Sequence, residues 1–478
     1  MAVFLRKGEL NVAKTSNNHT YLAILSLALL TFIGILNETS MNVTYPELSR
    51  QLAVSLDTIQ WITTGYLLMV TITMGTTAYL LRQFAARYLQ LAAVLAFIIG
   101  DLMCALTPNF AILLTGRLIQ AVATGLSTPI LFHLIFTEIP RERLGAMTGF
   151  AGMVISFAPA LGPTYGGWIS AIMSWRMIFW LLLPFVLVSL VLGQLFIHNQ
   201  PLGNSKHFSY GSLASLAVAL LAVVYGFSTI GRQGISWQLL LWLLLAAVAF
   251  TTFVYVNNHG QAQLFDLRVF KSKPLRLSTL TYFNLQFINI GISLVISLYA
   301  QYVLHASSTV AGLILLPGSV CGAFLAPFAG RLADAQGFAK PVTFGGALLL
   351  VGTLCFALFQ PHLTPLLVMT FFVILRIGFN FAFGNTISNA SVLVAAQNSA
   401  DVNSIFNMVQ QFAGSLGTGL LAAILAVFQN SGRGTLQART YAGGQVDYLF
   451  LALMAVIVLI AIVINYHLQR TSQSRGHH

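Results

Sequence analysis

The 478 residues comprise 57% hydrophobic and only 7% charged side chains, with a net charge of +12. So few charges cannot coat a water-facing surface, which excludes an ordinary soluble protein and leaves the lipid bilayer as the solvent. The basic residues are scattered between apolar runs and form no stripe, so the positive balance points to membrane orientation and not to a nucleic-acid partner.

Apolar stretches long enough to cross ~30 Å of hydrocarbon as helices recur along the whole chain. In chain order they predict spans at 21–46, 58–79, 89–107, 110–136, 145–172, 177–197, 208–230, 238–256, 275–302, 309–329, 341–360, 365–393, 402–429 and 448–468, fourteen in all. The first twenty residues are polar, lack an apolar core and do not read as a signal peptide. With the N-terminus inside, the inner segments hold sixteen of the 23 Lys and Arg residues, the outer loops hold five, and Arg117 and Arg376 lie within spans. That asymmetry obeys the positive-inside rule, and an even span count then places both termini in the cytoplasm.

Spans 1–6 and 9–14 have similar lengths, and a buried arginine recurs in the fourth span of each set, Arg117 and Arg376. Two parallel six-helix bundles with a substrate site between them at mid-membrane are the expected plan. The domain reading is residues 1–200 for the N-terminal bundle, 201–262 for an inserted hairpin of spans 7 and 8, and 263–478 for the C-terminal bundle and a cytoplasmic tail. Cys104, Cys321 and Cys355 fall in apolar segments, and their odd number argues against a disulfide framework. No phosphate-cradling Gly-Lys-Ser/Thr loop is present, and the histidines are dispersed or at span ends. Neither a catalytic site nor a metal site is expected.

Several segments resemble the fourteen-span drug:proton antiporters of the major facilitator superfamily, the EmrB/QacA type. Span 1 carries Leu36-Asn37-Glu38-Thr39-Ser40-Met41-Asn42-Val43-Thr44-Tyr45-Pro46, span 2 opens with Gln60-Trp61-Ile62-Thr63-Thr64-Gly65-Tyr66, and span 4 has Gly116-Arg117-Leu118-Ile119-Gln120. Span 5 contains Ala158-Pro159-Ala160-Leu161-Gly162-Pro163-Thr164-Tyr165-Gly166-Gly167, which is similar to the antiporter motif. Gly330-Arg331-Leu332-Ala333-Asp334 with Gly337 resembles the cytoplasmic hinge motif. Two departures stand out. The acid of the span 1 motif sits at Glu38 and not at Asn37, and the hinge after span 2, Arg82 to Arg87, keeps its charge but lacks the acid. The resemblance implies a proton-coupled exporter in the plasma membrane of a bacterium, acting as a monomer without a cofactor.

Of eleven acids, only Glu38 and Asp101 fall inside the predicted spans. A carboxylate is costly in hydrocarbon, so each is a functional candidate by default. Counted along ideal helices, Glu38 lies ~12 Å from Pro46, with Asp101 and Arg117 each ~10 Å from the outer ends of their spans. The expectation is that the two acids carry protons and Arg117, which cannot deprotonate, is their counter-charge. Thr31, Glu38, Asn42 and Tyr45 share one helical face, which puts Asn42 and Tyr45 in support of the carboxyl, with Gln120 beside Arg117.

A polar stripe on span 9 (Tyr282, Gln286, Asn289, Ser293, Ser297 and Gln301) makes sense facing a wet cavity or another helix. Together with Thr31, Tyr66, Thr124, Arg376 and Asn380 it forms the expected cavity lining. Pro159 and Pro163 permit a bend in span 5, and Gly162, Gly166 and Gly167 allow close helix approach. Spans 9–14 offer no deep carboxylate, which favours monocationic, zwitterionic or neutral lipophilic substrates over dications. The expected function is drug export against proton entry. A dedicated exporter of one metabolite, lipid or antibiotic is the near rival, and proton-coupled uptake, a membrane enzyme or a receptor are the remote ones.

Overall fold

The structure, a computed structural model, describes residues 2–198, 208–260, 263–394, 399–432 and 434–475. Lys206, Arg433 and the expected domain boundaries at 200 and 262 lie outside the described residues, as do the side chains of Arg6, Lys7, Lys14, Arg82, Arg141, Arg143, Arg232 and Arg475. Among the described residues the chain is helical without strands. This is the form an isolated segment must take in lipid, where every backbone amide has to find its partner within the segment.

The long helices are α1 (Ala2–Ser40), α2 (Trp61–Gln83), α3 (Ala86–Ala105), α4 (Phe110–Glu138), α5 (Arg141–Ile172), α6 (Leu183–Phe196), α7 (Tyr210–Gln233), α8 (Trp237–His259), α9 (Lys273–Tyr302), α10 (Ser308–Gln336), α11 (Ala339–Leu358), α12 (Pro365–Val392), α13 (Ser399–Gln429) and α14 (Leu436–Arg475). Among the described residues twelve helical segments are long and apolar enough to cross a membrane; α2 and α5 are not among the twelve. Local signals mark several starts. Asn109 accepts from the Ile112 amide at 3.0 Å, and Ser307 and Thr364 accept from Val310 and Leu367, each at 3.3 Å. Such caps satisfy amides that have no partner inside the helix.

Boundaries differ from expectation in several places, among them α1, which starts at Ala2 where the span is expected from 21. The first predicted span, 21–46, is not one α-helix, because Met41–Thr44 form a 3-10 turn before a short helix over Tyr45–Gln51. Asn42 and Tyr45 therefore leave the face on which Thr31 and Glu38 lie. The last predicted span starts at 448, but α14 begins twelve residues earlier, at Leu436.

The two sets of six helices pack alike. In the first, α1 packs on α4, α5 and α6, α2 packs on α4, and α3 packs on α4 and α6. In the second, α9 packs on α12, α13 and α14, α10 packs on α12, and α11 packs on α12 and α14. Every pairing repeats with an offset of eight helices. Two seams join the sets, α5 with α10 and α2 with α13, and the α7–α8 hairpin leans on α13 and α2. Each set has its own apolar core, one around Ile24, Phe97 and Leu131, the other around Ile292, Phe356 and Leu451.

The start of α1 and the finish of α14 lie at one end. Gln301, at the finish of α9, donates to the Val43 carbonyl just beyond α1 at 3.1 Å, so α1 and α9 run in the same sense. Asn465 near the end of α14 donates to Ser278 near the start of α9 at 2.9 Å. This is called the terminal end below, and its opposite the far end. Bulky apolar side chains face outward, including Leu240, Leu244 and Leu453, as lipid-facing helices allow. Cys104 is buried, Cys355 half-buried and Cys321 exposed, and all three are free thiols.

Candidate functional site

The first set of helices encloses a charged cluster. Gly100 on α3 and Gly116 on α4 meet with no side chain between them, and a Cβ on Gly116 would stand 2.9 Å from the Gly100 carbonyl oxygen. That close approach sets Asp101 beside α4. The Gln120 amide nitrogen donates to Asp101 Oδ1 in a short contact, and its carbonyl oxygen accepts from Arg117 Nη1 at 2.9 Å. Arg117 Nε donates to the Ile62 carbonyl at 3.2 Å, and its guanidinium stacks 4.2 Å over the Tyr66 ring. Asp101, Arg117 and Gln120 are all fully buried.

No direct ion pair joins Arg117 to either acid among the described residues; Gln120 stands between the charges. The expected pairing of Asp101 with Arg117 is therefore a relay. Asp101 Oδ2 and Arg117 Nη2 have no partner among the described residues. Glu38 on α1 is 4% exposed and lies, with Asp101 and Tyr66, within the field of Arg117. Asn42 does not orient its carboxyl, because the Asn42 side-chain oxygen accepts from Thr63 at 3.2 Å, and Tyr45 reaches the Gln60 carbonyl at 3.5 Å. The 3-10 turn after Ser40 is the cause.

Tyr66 ties three helices together. Its hydroxyl lies 2.6 Å from that of Thr124 and donates to the Gly34 carbonyl at 3.1 Å, while Thr31 donates to Ser127 at 3.1 Å. Tyr66, Thr124 and Thr31 are thus engaged as helix ties, hydroxyl to hydroxyl.

The second set has a basic counterpart. Arg376, 6% exposed, makes a short bond to Asn289, whose amide faces Gln286 at 3.4 Å, and Arg376 lies 5.2 Å from the Phe379 ring. Asn380 donates to the Arg376 carbonyl at 2.9 Å. The rest of the span 9 stripe disperses. Tyr282 donates to Gln410 at 3.0 Å and stacks on Phe383, Ser293 and Ser297 bond to carbonyls of their own helix, and Gln301 turns to Val43. Side-chain bonds bring together Gln286, Asn289 and Arg376, with Asn380 one turn further along α12.

Asp447 escaped the sequence reading. It lies in α14 with 0% exposure, and neither carboxyl oxygen has a partner among the described residues. The statement that spans 9–14 hold no deep carboxylate is thus corrected. The polar run from Gln437 to Gln445 hid it by making the apolar stretch begin one residue too late. The adjacent Gly443 and Gly444, which meet Leu425 on α13 and Tyr299 on α9, were the available sign of a packed helix.

The glycines of α5 act at the far end. A Cβ on Gly162 would stand 2.9 Å from the Leu36 carbonyl oxygen, and Gly166 faces the Ser40 backbone. Across the seam, Ser308 and Thr309 of α10 both donate to the Gly167 carbonyl at 3.2 Å, and Thr164 donates to Gly312 at 3.3 Å. Toward the terminal end the same two helices separate around a cavity of about 800 Å³ lined by Phe32, Phe157, Phe324 and Pro327. Pro159 and Pro163 lie inside a helix that continues through them. The second seam is tied by Ser415 donating to the Thr64 carbonyl at 2.8 Å. Gly330, Arg331, Asp334 and Gly337 occupy the terminal end of α10, where Gly337 ends the helix at φ +80°, a conformation that favours glycine.

Two bundles repeated in parallel, joined at the far end and bordering a cavity between α5 and α10 toward the terminal end, with charges buried inside the first bundle, define a membrane transporter. Residues 27–418 match the Major Facilitator Superfamily model, and the chain belongs to that superfamily. It is a multi-pass membrane transporter and not an enzyme. It is 32% identical to "Lincomycin resistance protein LmrB" of Listeria monocytogenes over 91% of this chain and 95% of that one. Its identity to the protein of that name from Bacillus subtilis is 30%, over 94% and 96%. Among solved structures, a POT family transporter in complex with 5-aminolevulinic acid shares the fold at a TM-score of 0.69 and 17% identity, covering 93% of this chain and 96% of that chain.

Proposed function

We propose that this protein is a proton-coupled exporter of lipophilic drugs in the fourteen-span EmrB/QacA group. The observation that carries the reading is the Arg117–Gln120–Asp101 relay, with Glu38 in the same field, sealed inside the first bundle. A fixed guanidinium cannot change charge, whereas a carboxyl removed from water has its charged form penalised and so can alternate between neutral and ionised. Asp101 Oδ2, which has no hydrogen-bond partner among the described residues, is the atom that takes the proton.

All fourteen long helices cross the bilayer in this reading, with the terminal end in the cytoplasm. The domains are residues 1–200, 201–262 and 263–478. The cavity between α5 and α10 then opens inward, where substrate loads. Gln286, Asn289, Arg376 and Asn380 face the substrate from the second bundle, and Asp447 is a further buried acid of that bundle. The relatives named for lincomycin resistance make lincomycin the first compound to test.

The test uses proteoliposomes with an imposed pH gradient, comparing wild type with Glu38→Gln and Asp101→Asn. Both substitutions are expected to abolish gradient-driven drug movement while leaving drug exchange at equal pH. Unchanged gradient-driven movement in both variants overturns the coupling assignment.

A further inference from the structure

A second cavity lies away from the charged cluster, where the α7–α8 hairpin meets α2, α9 and α13. Its volume is about 470 Å³, and its walls include Phe250, Phe253, Phe265, Phe270, Phe283 and Phe412. No polar surface lines it, and Phe250 is 52% exposed, so it opens sideways to the lipid. A site for a polar drug would need a few convergent polar groups, whereas the two threonines here, Thr71 and Thr279, spend their hydroxyls on carbonyls of their own helices.

Its terminal-end border is the segment between α8 and α9. That segment and the first turn of α9 carry Arg268, Lys271, Lys273 and Arg276, all exposed, against the single acid Asp266, whose carboxyl accepts from the Arg268 amide at 2.9 Å. The segment is held in place. Buried Asn257 donates to the Phe265 carbonyl at 2.9 Å and accepts from the Leu264 amide at 2.8 Å. Four cations are therefore fixed at the membrane-surface end of a cavity with room only for hydrocarbon.

We infer that this cavity binds one anionic phospholipid, its acyl chain among the phenylalanines and its phosphate over Arg268, Lys271, Lys273 and Arg276. The lipid wedges the hairpin against α13 and gives the inserted hairpin a binding role. Basic residues beside lipid-facing helices attract anionic headgroups, with roughly fivefold in affinity per charge. The inference is independent of the coupling reading, because none of these residues belongs to the charged cluster.

The test reconstitutes the full chain with phosphatidylglycerol or phosphatidylcholine carrying a photoreactive acyl chain and maps the cross-links. Phosphatidylglycerol label is expected on the peptides containing Phe250, Phe270 and Phe412 at least about fivefold above phosphatidylcholine label. The combined variant Arg268→Gln, Lys271→Gln, Lys273→Gln and Arg276→Gln alters only exposed side chains and is expected to bring the two lipids level. Val409→Trp, which fills the cavity, is expected to lower both at this site alone. Lys340→Gln with Arg470→Gln, elsewhere at the same end, is expected to change nothing. Equal labelling by the two lipids in wild type overturns the proposal. So does displacement of the label by inorganic phosphate, which marks a free-anion site, or by lincomycin, which marks a drug site.

Discussion

Substitution of Gly167 by valine tests the alternating-access reading at one contact. The Gly167 carbonyl accepts from both Ser308 and Thr309, and a Cβ there would press on the Ser308 backbone, standing 3.0 Å from its carbonyl carbon and 3.3 Å from the Thr309 Cα. These neighbours are backbone atoms, so no side-chain rotation relieves the clash and α10 has to move. Overpacking of this kind costs about 1–3 kcal/mol. The cost falls only on the state in which the far end is closed. The ratio of closed to open protein should therefore drop by roughly 5- to 150-fold. Spin labels at Ile172 and Val310, both exposed at the far end, would report it by electron–electron distance measurement in a cysteine-free background. The variant is expected to populate longer distances and to transport more slowly. Gly152→Val on the same helix, where nothing lies within 4 Å and the added side chain meets the terminal-end cavity instead of the seam, is the control and should not lengthen the far-end distances. An unchanged distance distribution for Gly167→Val, or an equal shift for Gly152→Val, would refute the reasoning.

Gln120→Leu removes the bridge from Arg117 and Asp101 and orphans two buried charged groups, at about 1–3 kcal/mol each; a lower Tm with loss of pH-driven transport is expected, and a wild-type Tm would mean that the relay is not formed. Tyr66→Phe deletes the hydroxyl ties to Thr124 and Gly34 at about 0.5–1.5 kcal/mol but keeps the ring under Arg117, so it should be milder than Tyr66→Leu in thermal unfolding. Asp447→Asn replaces a buried carboxyl that has no partner among the described residues by a neutral group of similar size, and thermal stability is expected to hold or rise; a fall of several degrees would show that the carboxyl is engaged. Arg376→Gln breaks the bond to Asn289 and should weaken drug binding more than it alters pH dependence, as measured by binding and by gradient-driven transport in parallel.

Much of the architecture was legible without coordinates because hydrocarbon imposes one solution on each apolar run. The long helices and the repeat of Arg117 in Arg376 follow from composition and spacing. The candidate site was less legible. Its acids could be named, since a carboxylate among apolar residues is conspicuous, but their partners could not. Gln120 reaches Asp101 because two glycines on different helices let α3 and α4 touch, a fact that no spacing along one helix contains. The same limit explains Asn42, which a continuous helix would aim at Glu38 and a 3-10 turn aims at Thr63, and Asp447, whose helix starts in a polar run.

The sequence by itself determined the solvent, the helical class and the burial of Glu38, Asp101, Arg117 and Arg376, though not of Asp447, because the cost of exposing backbone and charge to lipid acts residue by residue. Which of those charges meet, which end of the α5–α10 seam is closed, and where the hairpin leaves a cavity were decided only by tertiary packing. Those features depend on the distance between helices far apart in the chain, and that distance is set by how closely small residues such as Gly100, Gly116 and Gly167 allow two backbones to approach.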